Sequence, residues 1–324
     1  MNRNLGIDLF RIIAMFTVVL IHSACTDVAF RDGVLRWLPP ANACFAFIAG
    51  WFLFKTCEDL TPRSIVGLIG KRLKRLVLPY LVWVGVYVLA NIGFDLLQGK
   101  FQLLALQDWV GIVFGGSGSV QLWFVITLVY AQIVLCGIMV AIVAISCKFV
   151  KGFLTAWLFV LLAIGVLLWR MSGIENDYLR RFAFLLGYGA LGVGLRYAVH
   201  EVRGIMKESI CIGVALIGCG LVVLARFIDI PEFMRVLAWC VMFGCMPVHA
   251  SLQKCLAYGS EAVMGIYLCH VLFTRVIALG VPAVSRLLQN GYMLVVFNAI
   301  IGFSASLAFV LLVKRTRLQR YLSI

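Results

Sequence analysis

Residues 7–25 read IDLFRIIAMFTVVLIHSAC, an apolar block interrupted by three ionisable side chains, Asp8, Arg11 and His22. As a helix, at 1.5 Å per residue, a block of this length rises about 28 Å, close to the roughly 30 Å hydrocarbon core of a bilayer. The period-2 alternation that a membrane β-barrel requires is absent here and elsewhere in the chain. The block therefore reads as a membrane-crossing helix. Separations of three and eleven residues, at 100° per residue, leave Asp8, Arg11 and His22 within about 60° of one face, with Arg11 and His22 roughly 16 Å apart along the axis. Ionisable groups in lipid are expensive, so such a stripe faces the protein interior or a water-filled cavity and by default marks a functional site. Asp8 and Arg11 are spaced for an i,i+3 ion pair. The plainer reading of the same three residues is an interfacial ion pair followed by an interfacial histidine.

Working outward, nine further apolar blocks follow, giving ten predicted spans near 7–25, 38–55, 76–97, 121–146, 152–170, 182–199, 209–228, 234–250, 260–281 and 291–313. With 63% hydrophobic and 13% charged residues, the 324-residue chain cannot build the surface of a soluble domain. The expected fold is all-α, a polytopic integral membrane protein of about ten transmembrane helices forming one domain over residues 1–324. Of the 28 Lys and Arg, 17 fall in one set of alternate loops and ten in the other, with Arg11 inside a span. The positive-inside rule then predicts both termini on the cytoplasmic side. Because the first block carries Arg11 and His22 and has no convincing small-residue cleavage site, it is expected to stay in the mature protein. The longest predicted non-spanning stretches are 56–75 and 98–120.

The net charge of +14 follows largely from that loop bias, and no recognition module accompanies it, so a nucleic-acid partner is not expected. The 11 cysteines lack metal-ligand or disulfide-framework spacing and read as free thiols; no metal is expected. Three other features carry polar chemistry. In KRLKRLVLPY, residues 71–80, the side chains of Lys71, Arg72, Lys74 and Arg75 suit phosphate contacts, although anchoring to anionic lipid uses the same residues. In GGSGSVQLWFV, residues 115–125, a glycine-rich loop leads into Gln121 and Trp123; glycines allow close approach to a ligand, while Trp123 equally suits an interfacial aromatic belt. In GIYLCHV, residues 265–271, His270 falls mid-span with Tyr267 one turn earlier, placed for catalysis or for a helix-packing hydrogen bond. His200 and His249 lie at span ends.

Together these residues resemble the acyltransferase-3 family of bacterial transmembrane acyltransferases, and the resemblance spans most of the chain. The family's first helix reads Asp, Arg three residues on, then His after ten more, matched by Asp8, Arg11 and His22. CFAFIAGWFLF at 44–54, the basic cluster ending Pro79-Tyr80, Leu122-Trp123-Phe124 and IYLCH at 266–270 follow in family order. Gln121 departs from the pattern where many members carry His, and Ala49 where Ser before Gly is common.

The resemblance implies transfer of an acyl group, usually acetyl from cytoplasmic acetyl-CoA, to a hydroxyl of a carbohydrate or lipid-linked glycan at the bacterial cytoplasmic (inner) membrane. It implies catalytic roles around His22, Asp8 and Arg11, donor contacts from Arg11, Lys71, Arg72, Arg75 and Trp123, and substrate or supporting roles for Gln121, Tyr267 and His270. His22 would act as general base or as a nucleophile that carries the acyl group. Arg11, always charged, is the orienter or donor contact rather than the base. A thiol carrier at Cys25 is a variant of the same chemistry. The rival from another class is an envelope-molecule transporter or flippase using the same stripe without acyl transfer.

Overall fold

The computed structural model describes residues 4–23, 30, 33–34, 37–54, 60–97, 99, 105–145, 151–202, 208–227, 231–246, 248–285 and 291–322. Among them are twelve α-helices, a single turn of 3-10 helix at Ala250–Leu252, and no strand. In chain order the helices are α1 (Leu5–Ser23), α2 (Ala41–Trp51), α3 (Pro62–Leu97), α4 (Leu106–Gly115), α5 (Leu122–Ile145), α6 (Lys151–Met171), α7 (Asp177–Val202), α8 (Glu208–Phe227), α9 (Glu232–Cys245), α10 (Gln253–Ser285), α11 (Gly291–Val313) and α12 (Gln319–Leu322). Among the described residues five helical stretches are long and apolar enough to cross a bilayer: Leu5–Ser23, Pro62–Leu96, Leu122–Ala144, Gln253–Ile277 and Gly291–Val313. The protein is a membrane protein on that basis. All ten predicted spans fall on helices, but α2, with 11 residues, and α9, with 14, rise only about 16 and 21 Å, short of a full crossing.

Two helices depart from the sequence expectation. Helix α4 lies within the stretch 98–120 expected to be loop; its ten residues are too few for a span-length hydropathy signal. Helix α3 begins at Pro62 rather than near 76, so the basic cluster is helical. Its 36 residues extend about 54 Å, some 24 Å more than the hydrocarbon core. Pro79 sits inside it, removing one ladder donor and leaving the carbonyl of Arg75 without its usual helical partner.

In lipid, apolar surface gives helices little reason to associate, so close backbone contact at small residues and buried polar bonds hold them together. A Cβ on Gly50 of α2 would lie 2.0 Å from the carbonyl oxygen of Gly189 in α7, and one on Gly192 would lie 2.1 Å from that of Phe47. The α2–α7 crossing therefore has room for glycine only. Side chains such as Leu161 and Leu168 of α6 and Ile300 and Leu312 of α11 remain exposed, an apolar exterior suited to acyl chains.

Helix α1 is central, packing on α9, α10 and α11. Asn4, just before it, donates to the carbonyl of Gly244, while Phe10 stacks on Trp239, so α9 runs antiparallel to α1. Contacts of Ile12 with Gly259, Arg11 with Ser260 and His22 with His270 show that α1 and α10 run parallel and in register.

Candidate functional site

Two polar clusters lie on the α1–α10 seam. The first surrounds a cavity of about 780 Å³ lined from several helices, with Arg11 of α1, Phe45, Ile48 and Ala49 of α2, Arg72 and Arg75 of α3, Phe124, Leu128 and Gln132 of α5, and Glu261, Met264 and Tyr267 of α10. Lys314 and Gln319, near the C-terminus, complete its wall. Phe52, Arg75, Glu261 and Gln319 are exposed, so the cavity opens at their end; Phe124 and Tyr267 are buried at its inner end. Four cations against one carboxylate make the lining strongly positive.

The cations are held rather than loose. Arg11 Nη1 donates to Ser260 Oγ at 2.8 Å. Arg72 donates to the carbonyl of Phe52, just past the last residue of α2. Lys314 Nζ lies 3.6 Å from Glu261 and 4.9 Å from the centre of the Tyr258 ring.

The second cluster lies one helical stretch further on. The rings of His22 and His270 are 5.1 Å apart, and Tyr267 is 5.9 Å from His270. His270 is fully buried, with Nδ1 at 2.8 Å from the carbonyl oxygen of Tyr267 and 3.2 Å from that of Ile266. A carbonyl only accepts, so Nδ1 carries the proton and Nε2 of the neutral ring is the free acceptor. That Nε2 is buried without a hydrogen-bond partner.

A further shell fixes this end. Tyr267 donates its hydroxyl to the backbone carbonyl of Gln121 at 2.9 Å, and Gln121 Nε2 donates to the carbonyl of Leu268 at 3.3 Å. Ser119 donates to Gln121 Oε1 at 2.5 Å, and Tyr87 donates to the Leu268 carbonyl at 2.8 Å. Gly116, in the loop before α5, has φ of 70°, and a Cβ there would fall 2.5 Å from the Trp123 backbone, so this turn requires glycine. Tyr267 belongs to both clusters: it lines the cavity, and with Phe45 and Phe124 it forms the aromatic wall between cavity and imidazoles.

Over this whole architecture, residues 4–315, the chain matches a family model described as an acyltransferase domain. The chain belongs to the acyltransferase-3 family. It is a membrane acyltransferase in the general sense that membership carries. No curated protein and no solved structure matches the chain.

Of the acyltransferase's sequence-predicted site residues, Arg11, Arg72, Arg75 and Tyr267 share one cavity wall, and His22, His270 and Tyr267 form one contact group. Gln121 supports that group through hydrogen bonds. Asp8 is buried at the start of α1. Lys71 is exposed outside the cavity lining, and Trp123 packs on Phe124 with the Arg181 guanidinium 5.0 Å from its ring centre. His249 is exposed and bonded to Ser251 at 2.8 Å; Cys25 and the side chain of His200 lie outside the described residues. The sequence reading missed Ser260, Gln132 and Lys314. For Gln132 a signal existed, a lone carboxamide inside an otherwise apolar span.

Proposed function

We propose that this acyltransferase moves an acetyl group from cytoplasmic acetyl-CoA to a hydroxyl of a cell-envelope glycan or lipid-linked sugar, in the bacterial inner membrane. The observation that carries the reading is the in-register α1–α10 seam, with an open basic cavity at Arg11 and an imidazole pair about 16 Å along it at His22. Phosphates of the donor would sit against Arg72, Arg75, Arg11 and Lys314, and the acyl end would reach inward past Tyr267. The loop charges support a topology of ten spans with both termini cytoplasmic, which puts the cavity mouth where acetyl-CoA is found.

As base, His22 takes the proton of the acceptor hydroxyl while its oxygen attacks the thioester carbonyl; the C–S bond breaks and the thiolate of CoA leaves, recovering the proton. As nucleophile, His22 first forms an acyl-imidazole and releases CoA as the thiol, which takes the imidazole proton, and the acceptor oxygen then displaces the imidazole, which takes up the hydroxyl proton. In either route the Nε2 of His270 would accept a hydrogen bond from the N–H of the incoming His22 imidazole and orient it; the 5.1 Å separation of the two rings supports this. Gln121 and Tyr267 hold the backbone that holds His270. Asp8, buried in the first turns of α1, belongs to the same proposed catalytic stripe.

The test uses purified protein in nanodiscs with radiolabelled acetyl-CoA and a bacterial lipid-linked glycan extract. Label is expected in glycan with wild type and not with His22→Ala. Label retained on protein before acceptor is added selects the acyl-histidine route. Wild-type protein that is folded but neither binds nor turns over acetyl-CoA overturns the proposal.

A further inference from the structure

Gln132 has no place in the chemistry described so far. It is 3% exposed, and its Oε1 is buried without a hydrogen-bond partner while the residue lines the 780 Å³ cavity. A buried carboxamide oxygen left unbonded costs on the order of a real hydrogen bond, so a bound molecule that supplies a donor gains by satisfying it. Phe124, Leu128 and Gln132 are spaced four apart on α5 and all line the cavity, which places Gln132 about 12 Å from the Phe124–Tyr267 wall, toward the mouth.

A carboxamide oxygen accepts and cannot donate, so its complement is an N–H or O–H group and not a phosphate. The neighbouring cavity wall from Ile48, Leu128 and Met264 is apolar, whereas the exposed Arg75 lies at the mouth. Charge is thus recognised at the mouth, and the stretch inward of it suits a neutral chain bearing isolated amide or hydroxyl donors on an aliphatic backbone.

We infer that Gln132 is a specificity residue of the donor site, accepting a hydrogen bond from an amide N–H or hydroxyl of the pantetheine arm of an acyl-CoA. This rests on the donor reading above. It separates recognition of the thiol-bearing arm from recognition of the nucleotide, which the arginines govern.

The experiment measures binding of CoA and of 3′,5′-ADP to the full chain in nanodiscs, for wild type, Gln132→Leu and Gln132→Asn. Gln132→Leu is expected to weaken CoA about five- to tenfold, and Gln132→Asn, which withdraws the carboxamide by one methylene, by a smaller factor. Binding of 3′,5′-ADP is expected to stay within about twofold of wild type, which also reports an intact cavity. Equal weakening of both ligands, or no change in CoA binding, overturns the inference. If the leucine variant fails to fold, Gln132→Asn decides the question by the same ratio. Wild-type protein that binds neither ligand removes the donor reading itself, an outcome distinct from a wild type that binds both and a variant that discriminates neither.

Discussion

The Arg11–Ser260 end and the His22–His270 end of the same helix pair differ in almost every physical respect. At the first, charge is permanent and reaches a cavity partly open to water. At the second, two titratable rings meet, one of them fully buried with its proton position set by backbone carbonyls. Permanent charge recognises a charged ligand without regard to pH, and a guanidinium in a wet site loses less in desolvation than one in a dry site. Imidazoles are the side chains that gain and lose a proton readily, and a dry, fixed setting suits proton transfer. On the proposed mechanism, one parallel pair of helices separates holding from reacting by about three turns.

Four substitutions probe that division, from the largest effect to the smallest. His22→Ala is expected to lower turnover about 10³-fold with CoA binding nearly unchanged, measured by label transfer and by equilibrium binding. Should CoA affinity fall as steeply as turnover, the two ends are not separable. Arg75→Ala is expected to raise the KM for acetyl-CoA roughly 10- to 100-fold, less at high salt where the lost attraction is screened, with kcat altered little. A kcat defect without a KM defect would place Arg75 at the wrong end.

His270→Gln should lower kcat about tenfold and leave KM for the donor intact, since the ring orients rather than reacts; steady-state kinetics decide it, and a loss as large as that of His22→Ala would give the two histidines equal standing. Lys71→Ala is expected to change donor affinity less than about twofold, because an exposed charge in high dielectric contributes little to equilibrium binding.

The helices were legible because hydropathy is local: each apolar run declares itself without knowledge of its neighbours. The Asp8, Arg11 and His22 stripe was legible for the same reason, being a statement about one helix. What joins helices was not. Nothing in residues 7–25 names Ser260 as the group that receives Arg11, and nothing near 270 reveals that its imidazole would meet His22; those contacts depend on the register of α1 against α10, which glycines at distant points such as Gly259 and Gly302 help set. The family pattern supplied His22 and His270 together, though as members of one motif set rather than as neighbours. Lys314 was read as a loop charge because its position beside Glu261 follows only from how α11 returns to the cavity. That Trp123 would meet Arg181 was likewise not legible, because the contact joins residues nearly sixty positions apart on different helices.

The length of α3 bears on how quickly a donor is captured. On the proposed topology its first turns stand clear of the lipid, so Lys71 and Lys74 display their charge to the aqueous phase ahead of the cavity mouth. Exposed cations placed in this way contribute little once a ligand is seated, yet they draw a polyanion in from beyond contact distance. Added salt should therefore slow acetyl-CoA association far more than it speeds dissociation, and the overhang would act as a collector whose reach shrinks with the Debye length.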